Sequence, residues 1–412
     1  MPFLQPLLNR LYDGHRVSSD VQYERIVKLA ANTDDPAAFE PAGLGLGALN
    51  KAQWDQPTTR RNGLRALHRW HRYGLSFRAP QVRRLDTCID FRLHDLDSLR
   101  WYVSHPFFTG IVVLVGSQIV LEQYAPDFGP DQVHSIQSIT KTSAHLIAGR
   151  LTESGALDPA QPISHYVPEV RGGYGCAVVQ DALDMAVVND YTEDFYDPAA
   201  TVGRLEEAHG WRLSAAEPQV DIRTFLKRIG GASAPGTSRE LHYKSANTDV
   251  VAWICERVGQ RTLREMYLEI VEAFGPEGTI YFSTDRLGTP FVGGGLHMTL
   301  RDLARYGLLL ASGGERGGRQ VGSKAFRDAT RSGGANGTPS LLGRGFYRNF
   351  LETNGTWLGH NGYGGQWLMV FPESEIVVAC FSAISDDGGL DWRFIRRLAD
   401  MGEQLADLLL QR

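Results

Sequence analysis

The chain is short of cysteine, of excess positive charge and of long apolar runs, and each shortage removes a class of function. Four cysteines, Cys88, Cys176, Cys255 and Cys380, are scattered through 412 residues. They form no C-x-x-C pair and have no neighbouring histidine at metal-ligand spacing, so neither a disulfide framework nor a metal site is expected. Lys and Arg number 42 against 47 Asp and Glu, a net charge of −5. That leaves no overall basic field of the kind nucleic-acid binding needs. No apolar run reaches bilayer-spanning length. The opening "MPFLQPLLNRLYDGHR" lacks the basic start, apolar middle and small-residue cleavage site of a secretory leader. A soluble, cytoplasmic protein with no nucleic-acid or membrane partner is the expectation. The glycine-rich stretches contain neither G-x-G-x-x-G after a strand nor G-x-x-x-x-G-K-[ST], so no nucleotide cradle and no cofactor is expected.

What is present suits an ordered globular chain, with 42% hydrophobic and 22% charged residues. Residues 1–85 read as an N-terminal extension packing on a main domain of 86–412. Its segment "TTRRNGLRALHRWHRYGLSF" predicts a helix that packs Leu64, Leu67 and Trp70 inward and turns its Arg side outward, with no catalytic role. "TGIVVLVGSQIVLEQY" predicts two strands joined at Gly116 and Ser117. From about 146 to 285 the pattern is mainly helical, and Asn247 or Thr248 would cap a helix in "NTDVVAWICERVG". "HMTLRDLARYGLLLASGG" predicts a helix with Thr299 as its cap and glycine as its stop. Strands at 366–371 and 375–382 and a last amphipathic helix follow. The α/β part therefore comes from about 86–145 and 286–412, around a helical insertion. That is an α+β fold with an antiparallel sheet flanked by helices.

Three stretches carry candidate chemistry. In "HSIQSITKTSAHLIAGRL", Ser138 stands three residues before Lys141, so a helix would place both on one face. An amine must lose about 3 pKa units, roughly 4 kcal/mol, to act as a base near neutral pH, so Lys141 should be buried. A Ser three before a Lys also recurs by chance, and the pair gains meaning only in company. In "LHYKSANTDVV", Tyr243, Ser245 and Asn247 alternate along a stretch read as extended, and would share one side. An isolated tyrosine there would equally be a core residue with its hydroxyl bonded nearby. In "GHNGYGGQWLMVF", a glycine-rich turn opens a strand and puts His360, Gly362 and Tyr363 at its edge. One backbone N–H there and the N–H of Ser138 would suit a developing oxyanion, although an ordinary glycine turn reads the same way.

S-x-x-K, then Y-x-S-x-N about a hundred residues on, then H-x-G near the C-terminus resembles the serine β-lactamase and penicillin-binding-protein superfamily in its class C branch. "YKSANTDVVAWICERV" and "GGGLHMTLRDLARYG" are similar to the branch of 6-aminohexanoate-dimer hydrolases and family VIII esterases. The likeness spans roughly residues 86–412. It implies Ser138 as acylated nucleophile, Lys141 as its base, Tyr243 as proton relay to the leaving group, and the N–H groups of Ser138 and Tyr363 as oxyanion hole. Tyr196, with Tyr191 as fallback, would be the loop tyrosine that contacts the scissile amide. Ser245, Asn247, His297, His360 and Gly362 complete the expected substrate contacts. Ser245 stands where class C enzymes carry Asn, and His360 where a Lys opens the usual K-T-G, which weakens the case for a β-lactam carboxylate contact. No deacylating carboxylate is evident, while Asp190, Glu193, Asp194 and Asp197 would attract a substrate ammonium. The expected function is a serine hydrolase of small amides or carboxyl esters, with a homodimer left open. An acyltransferase and a catalytically silent binding protein are the alternatives.

Overall fold

"IVVLV" and "IVVACF" are apolar at every position because both faces of their sheet are covered. In the computed structural model, which describes residues 51–411 apart from 171, 198, 214–218, 232–239 and 334–336, Phe108–Val115 pairs antiparallel with both Gln118–Tyr124 and Ile376–Ser382. The hairpin turns at Gly116 and Ser117, as expected. Ile376–Ser382 continues through Gln366–Phe371 to Leu358–Gly362, and from there to the short strands Leu351–Thr353, Phe346–Arg348 and Thr338–Pro339. Asp86–Thr87 adds a parallel edge on the far side, giving nine strands.

Alternation sorts the side chains. Val112, Leu114, Leu368, Val370, Val377 and Ala379 belong to one buried cluster, shared with Leu303 and Leu310 of the Leu300–Ala311 helix. Ile111, Val113, Trp367, Met369, Val378 and Cys380 belong to the other, shared with Phe394, Ile395 and Leu398 of the Trp392–Leu410 helix. Thr299 caps its helix by accepting from the Asp302 N–H, as its spacing predicts, and Asp391 accepts from Arg393 and Phe394 at the start of the last helix.

The helical insertion lies between the first hairpin and the Ile280–Ser283 strand. It includes the helices Ser245–Gly259 and Leu263–Phe274. Ile280–Ser283 joins a second sheet of four strands, with Gly74–Phe77, Leu296–Met298 and His134–Ser135. Residues 51–85 are thereby built into the body of the protein. Gly74–Phe77 hydrogen-bonds along Ile280–Ser283. The Arg60–Trp70 helix buries Leu64 and Leu67 as expected. Its arginines do not simply face solvent: Arg60 is buried on the carbonyl oxygens of Ile384 and Asp386, and Arg61 and Arg65 grip Asp127. Among the described residues, no helix is long and apolar enough to cross a membrane.

Candidate active site

Ser138 lies in a single 3-10 turn, Gln137–Thr140, that runs straight into the Lys141–Glu153 helix. The residue before it, Gln137, is held at φ 50°, a left-handed conformation that costs a non-glycine residue about 1–2 kcal/mol. Its side-chain amide is tied down by donating to Ser135 Oγ at 2.7 Å. On the other side runs the Leu358–Gly362 strand. A Cβ on Gly362 would sit 2.6 Å from the Ile136 carbonyl oxygen and 3.1 Å from Gln137 Cβ, so only glycine lets that strand approach the serine turn so closely.

Lys141 is fully buried. Its Nζ lies 2.9 Å from Ser138 Oγ, 3.0 Å from Ser245 Oγ and 2.5 Å from the Gly293 carbonyl oxygen. Burial draws the amine down to about 8, against the opposing pull of Glu193 and Asp249. The partners also set its lone pair. Ser245 donates its own hydroxyl to Glu193 Oε1 at 2.8 Å, so towards Lys141 it accepts; the Gly293 carbonyl can only accept. A neutral amine has two N–H groups and one lone pair. With both N–H groups engaged, the lone pair faces the Ser138 hydroxyl.

Tyr243 completes the group. Its phenol is a hydrogen-bonding neighbour of the Ser138 hydroxyl, and desolvation together with nearby Glu193 pushes its pKa well above 10. Its ring lies 5.0 Å from Lys141 Nζ and meets Tyr347 edge-on. A phenol kept protonated in this position is a proton donor to a leaving group.

Glu193 has no motif to announce it and was legible only as one of four acids in a loop. Besides the Ser245 hydroxyl, it accepts the Ser245 backbone N–H at the start of the Ser245–Gly259 helix and the Tyr191 hydroxyl at 3.1 Å. It therefore fixes the rotor of Ser245 and raises the pKa of Lys141. Glu193→Gln keeps an acceptor but removes the charge, so the amine should lose its proton at lower pH. The acid limb of the kcat/KM profile is expected to move to lower pH by up to about 1 unit. A limb that stays in place, measured on the same ester, would remove Glu193 from the electrostatics of the site.

The structure brings together Ser138, Tyr243, Ser245 and Tyr363 around a cavity of about 370 Å³, with Tyr196 at its edge, and buries Lys141 against the two serines. Tyr196 is 60% exposed and hydrogen-bonds Asp386 and the Leu390 carbonyl, while its neighbour Phe195 packs on Tyr363 and also lines the cavity. Tyr191 is buried, its hydroxyl on Glu193. Asn247 does not share a side with Ser245. Both stand in the first turn of a helix, two residues and so about 200° apart, and Asn247 accepts from Tyr174. The helix starts at Ser245, before Asn247 or Thr248 could cap it. His297 is buried beside His71 and Ser283, outside the cavity lining. His360 and Gly362 belong to a strand instead of a turn, because the turn comes later, at Tyr363–Gly365. His360 Nε2 faces the Tyr347 hydroxyl at 3.1 Å, and burial holds the ring neutral with a pKa of about 3. It offers no cation to a substrate carboxylate. Three acids of the 190–197 loop bond backbone N–H groups: Asp190 that of Gly230, Asp194 that of Tyr196, and Asp197 that of Ala199.

Sequence and fold comparisons decide the lineage of this geometry. Residues 109–400 match the beta-lactamase family. The chain belongs to that family. This beta-lactamase-family chain is 32% identical over 327 residues to the 6-aminohexanoate-dimer hydrolase of Paenarthrobacter ureafaciens, covering 76% of this chain and 81% of that one. Its fold matches that of a Bacillus anthracis protein assigned as a 6-aminohexanoate-dimer hydrolase, with a TM-score of 0.75 at 21% identity over 88% and 97% of the two chains. EstCE1, a hydrolase with promiscuous acyltransferase activity, shares the fold at a TM-score of 0.54 and 15% identity, over 74% and 96%. Within the beta-lactamase family the chain is a serine hydrolase.

Proposed function

We propose that this protein hydrolyses small amides or carboxyl esters through an acyl-Ser138 intermediate. The observation that carries the reading is the contact of a buried amine, at a pKa of about 8, with the Ser138 hydroxyl at 2.9 Å. Neutral Lys141 takes the Ser138 proton as Oγ attacks the carbonyl carbon. The N–H groups of Ser138 and Tyr363 hold the resulting oxyanion. Tyr243 passes a proton to the departing nitrogen or oxygen and is reprotonated from Lys141. In the second half, water gives up a proton to the same pair as it attacks the acyl carbon, and the pair returns that proton to Ser138 Oγ as the C–O bond breaks and the acid leaves. The relative from Paenarthrobacter ureafaciens supports an amide as substrate, and the same reading carries the expectation of a cytoplasmic enzyme.

Turnover of a short-chain ester and its matching amide in 18O-labelled water tests the reading. One labelled oxygen should appear in the released acid, and none in the alcohol or amine. Acyl transfer to an added amine that outruns formation of labelled acid would favour an acyltransferase instead.

A further inference from the structure

One wall of the cavity carries Lys51, a residue that precedes the family match, against residues within it. Lys51 and Glu206 both line the cavity, each only 4% exposed, and they form an ion pair. The second Glu206 oxygen accepts from Arg212 Nε. Lys51 also lies 3.4 Å from Asp55, and its ammonium stands over the rings of Phe195 and Tyr363 at 4.8 and 4.9 Å. Asp55 in turn accepts from Arg60 at 2.6 Å and from the Tyr363 hydroxyl at 2.9 Å. Lys51, Glu206 and Asp55 thus each have a counter-charge inside the protein. The surfaces beside it are aromatic, Phe195, Trp211 and Phe291. His209 stacks on Phe291 at 3.8 Å and is kept neutral by burial.

We propose that Lys51 is a specificity determinant: by occupying Glu206 it restricts the substrate group held at this wall to an uncharged, apolar or aromatic one. The inference rests on the hydrolase reading and adds the substrate class. An entering ammonium would find the Glu206 carboxylate taken and Lys51 repelling it. An entering carboxylate would find Lys51 already paired with two acids and facing Glu206. Glu193 and Asp194 also line the cavity, but at the Lys51–Glu206 wall either charge would lack a free partner, which the site penalises far more than loss of a methylene contact.

The test measures kcat/KM for two ester series. The first comprises the p-nitrophenyl esters of hexanoic acid and 6-aminohexanoic acid and the mono-p-nitrophenyl ester of adipic acid, which share a six-carbon acyl chain and carry a neutral, cationic or anionic terminus. The second places the same three termini on the leaving alcohol. In at least one series, the uncharged ester should be preferred about tenfold or more over both charged ones. Lys51→Met frees one Glu206 oxygen, Arg212 keeping the other, and should narrow or reverse the ammonium disadvantage in that series by about tenfold. Lys51→Met/Glu206→Gln should lose this gain. If Lys51→Met fails to fold, the wild-type series and the double variant, which removes both charges together, still decide. Equal rates for all three termini in both series, or a preferred charged terminus, would overturn the inference. Calorimetric binding of the intact esters to Ser138→Ala protein reads the same preference without turnover. Binding preference without hydrolysis in the wild type would sink the hydrolase reading alone; hydrolysis with the ammonium ester favoured would sink the inference alone.

Discussion

Ser138→Ala is expected to lower kcat/KM for a short-chain p-nitrophenyl ester by roughly 10³-fold or more, and to remove the acyl adduct that intact-protein mass spectrometry should detect during wild-type turnover. The size of the effect follows from the site. The Ser138 hydroxyl stands both on Lys141 and beside the Tyr243 phenol, while the other hydroxyl on Lys141, that of Ser245, is committed to Glu193. The fold should survive. Lys141 keeps Ser245 and the Gly293 carbonyl as partners, and Ser138 is itself partly exposed to the cavity. An adduct of unchanged abundance in the alanine variant, or full esterase activity, would exclude Ser138 as the nucleophile.

Lys141 carries the second large effect, and it shows in both rate and stability. Only the neutral amine can take the Ser138 proton, so wild-type kcat/KM should rise with pH along a limb centred near 8 and flatten above it. Lys141→Met should lose roughly 10³-fold or more in activity. The stability effect has a definite sign. The amine titrates at about 8 in the folded protein against 10.5 when free, so between those values the unfolded chain binds more protons and stability rises with pH. Below about 8 both states are protonated and the full cost of burying the charge, about 3 kcal/mol, is present. The Tm of wild type should therefore gain on that of Lys141→Met as pH is raised from about 8 towards 10.5. Asp249, a buried neighbour pushed up to about 8, is held down by Lys141, so in Lys141→Met it titrates higher and its destabilisation extends above 8, in the same direction as the expected difference. Parallel Tm profiles of the two proteins across pH 8 to 10.5 would show that Lys141 is not desolvated.

The elements that sequence reading placed well are those whose pattern is local. The hairpin around Gly116 and Ser117, the Thr299-capped helix, the 366–371 strand and the terminal amphipathic helix each announce themselves through turn residues, a cap or a period in the side chains. The Ser138–Lys141 spacing is of the same kind, since three residues along a helical turn fix a distance regardless of the rest of the chain. Where the reading slipped, the local pattern was ambiguous. "GHNGYGG" has glycines enough for a turn, yet Leu358–Gly362 is a strand, because Gly362 is needed for contact with the serine turn and not for bending. "YKSAN" alternates like a strand, yet Ser245 and Asn247 are helical, because the Glu193 carboxylate holds the Ser245 N–H and starts the helix there.

The sequence by itself determined the α+β order of the elements, the two-faced apolar strands and the serine and lysine at one helical turn, because these depend on neighbours within a few residues. Only the tertiary structure decided what makes them a site. The burial that lowers Lys141, the Glu193 carboxylate that orients Ser245, and the Lys51–Glu206 pair on the cavity wall join residues from 52 to 155 positions apart. Desolvation and charge pairing depend on distance in space, and no spacing along the chain encodes which distant segments will meet.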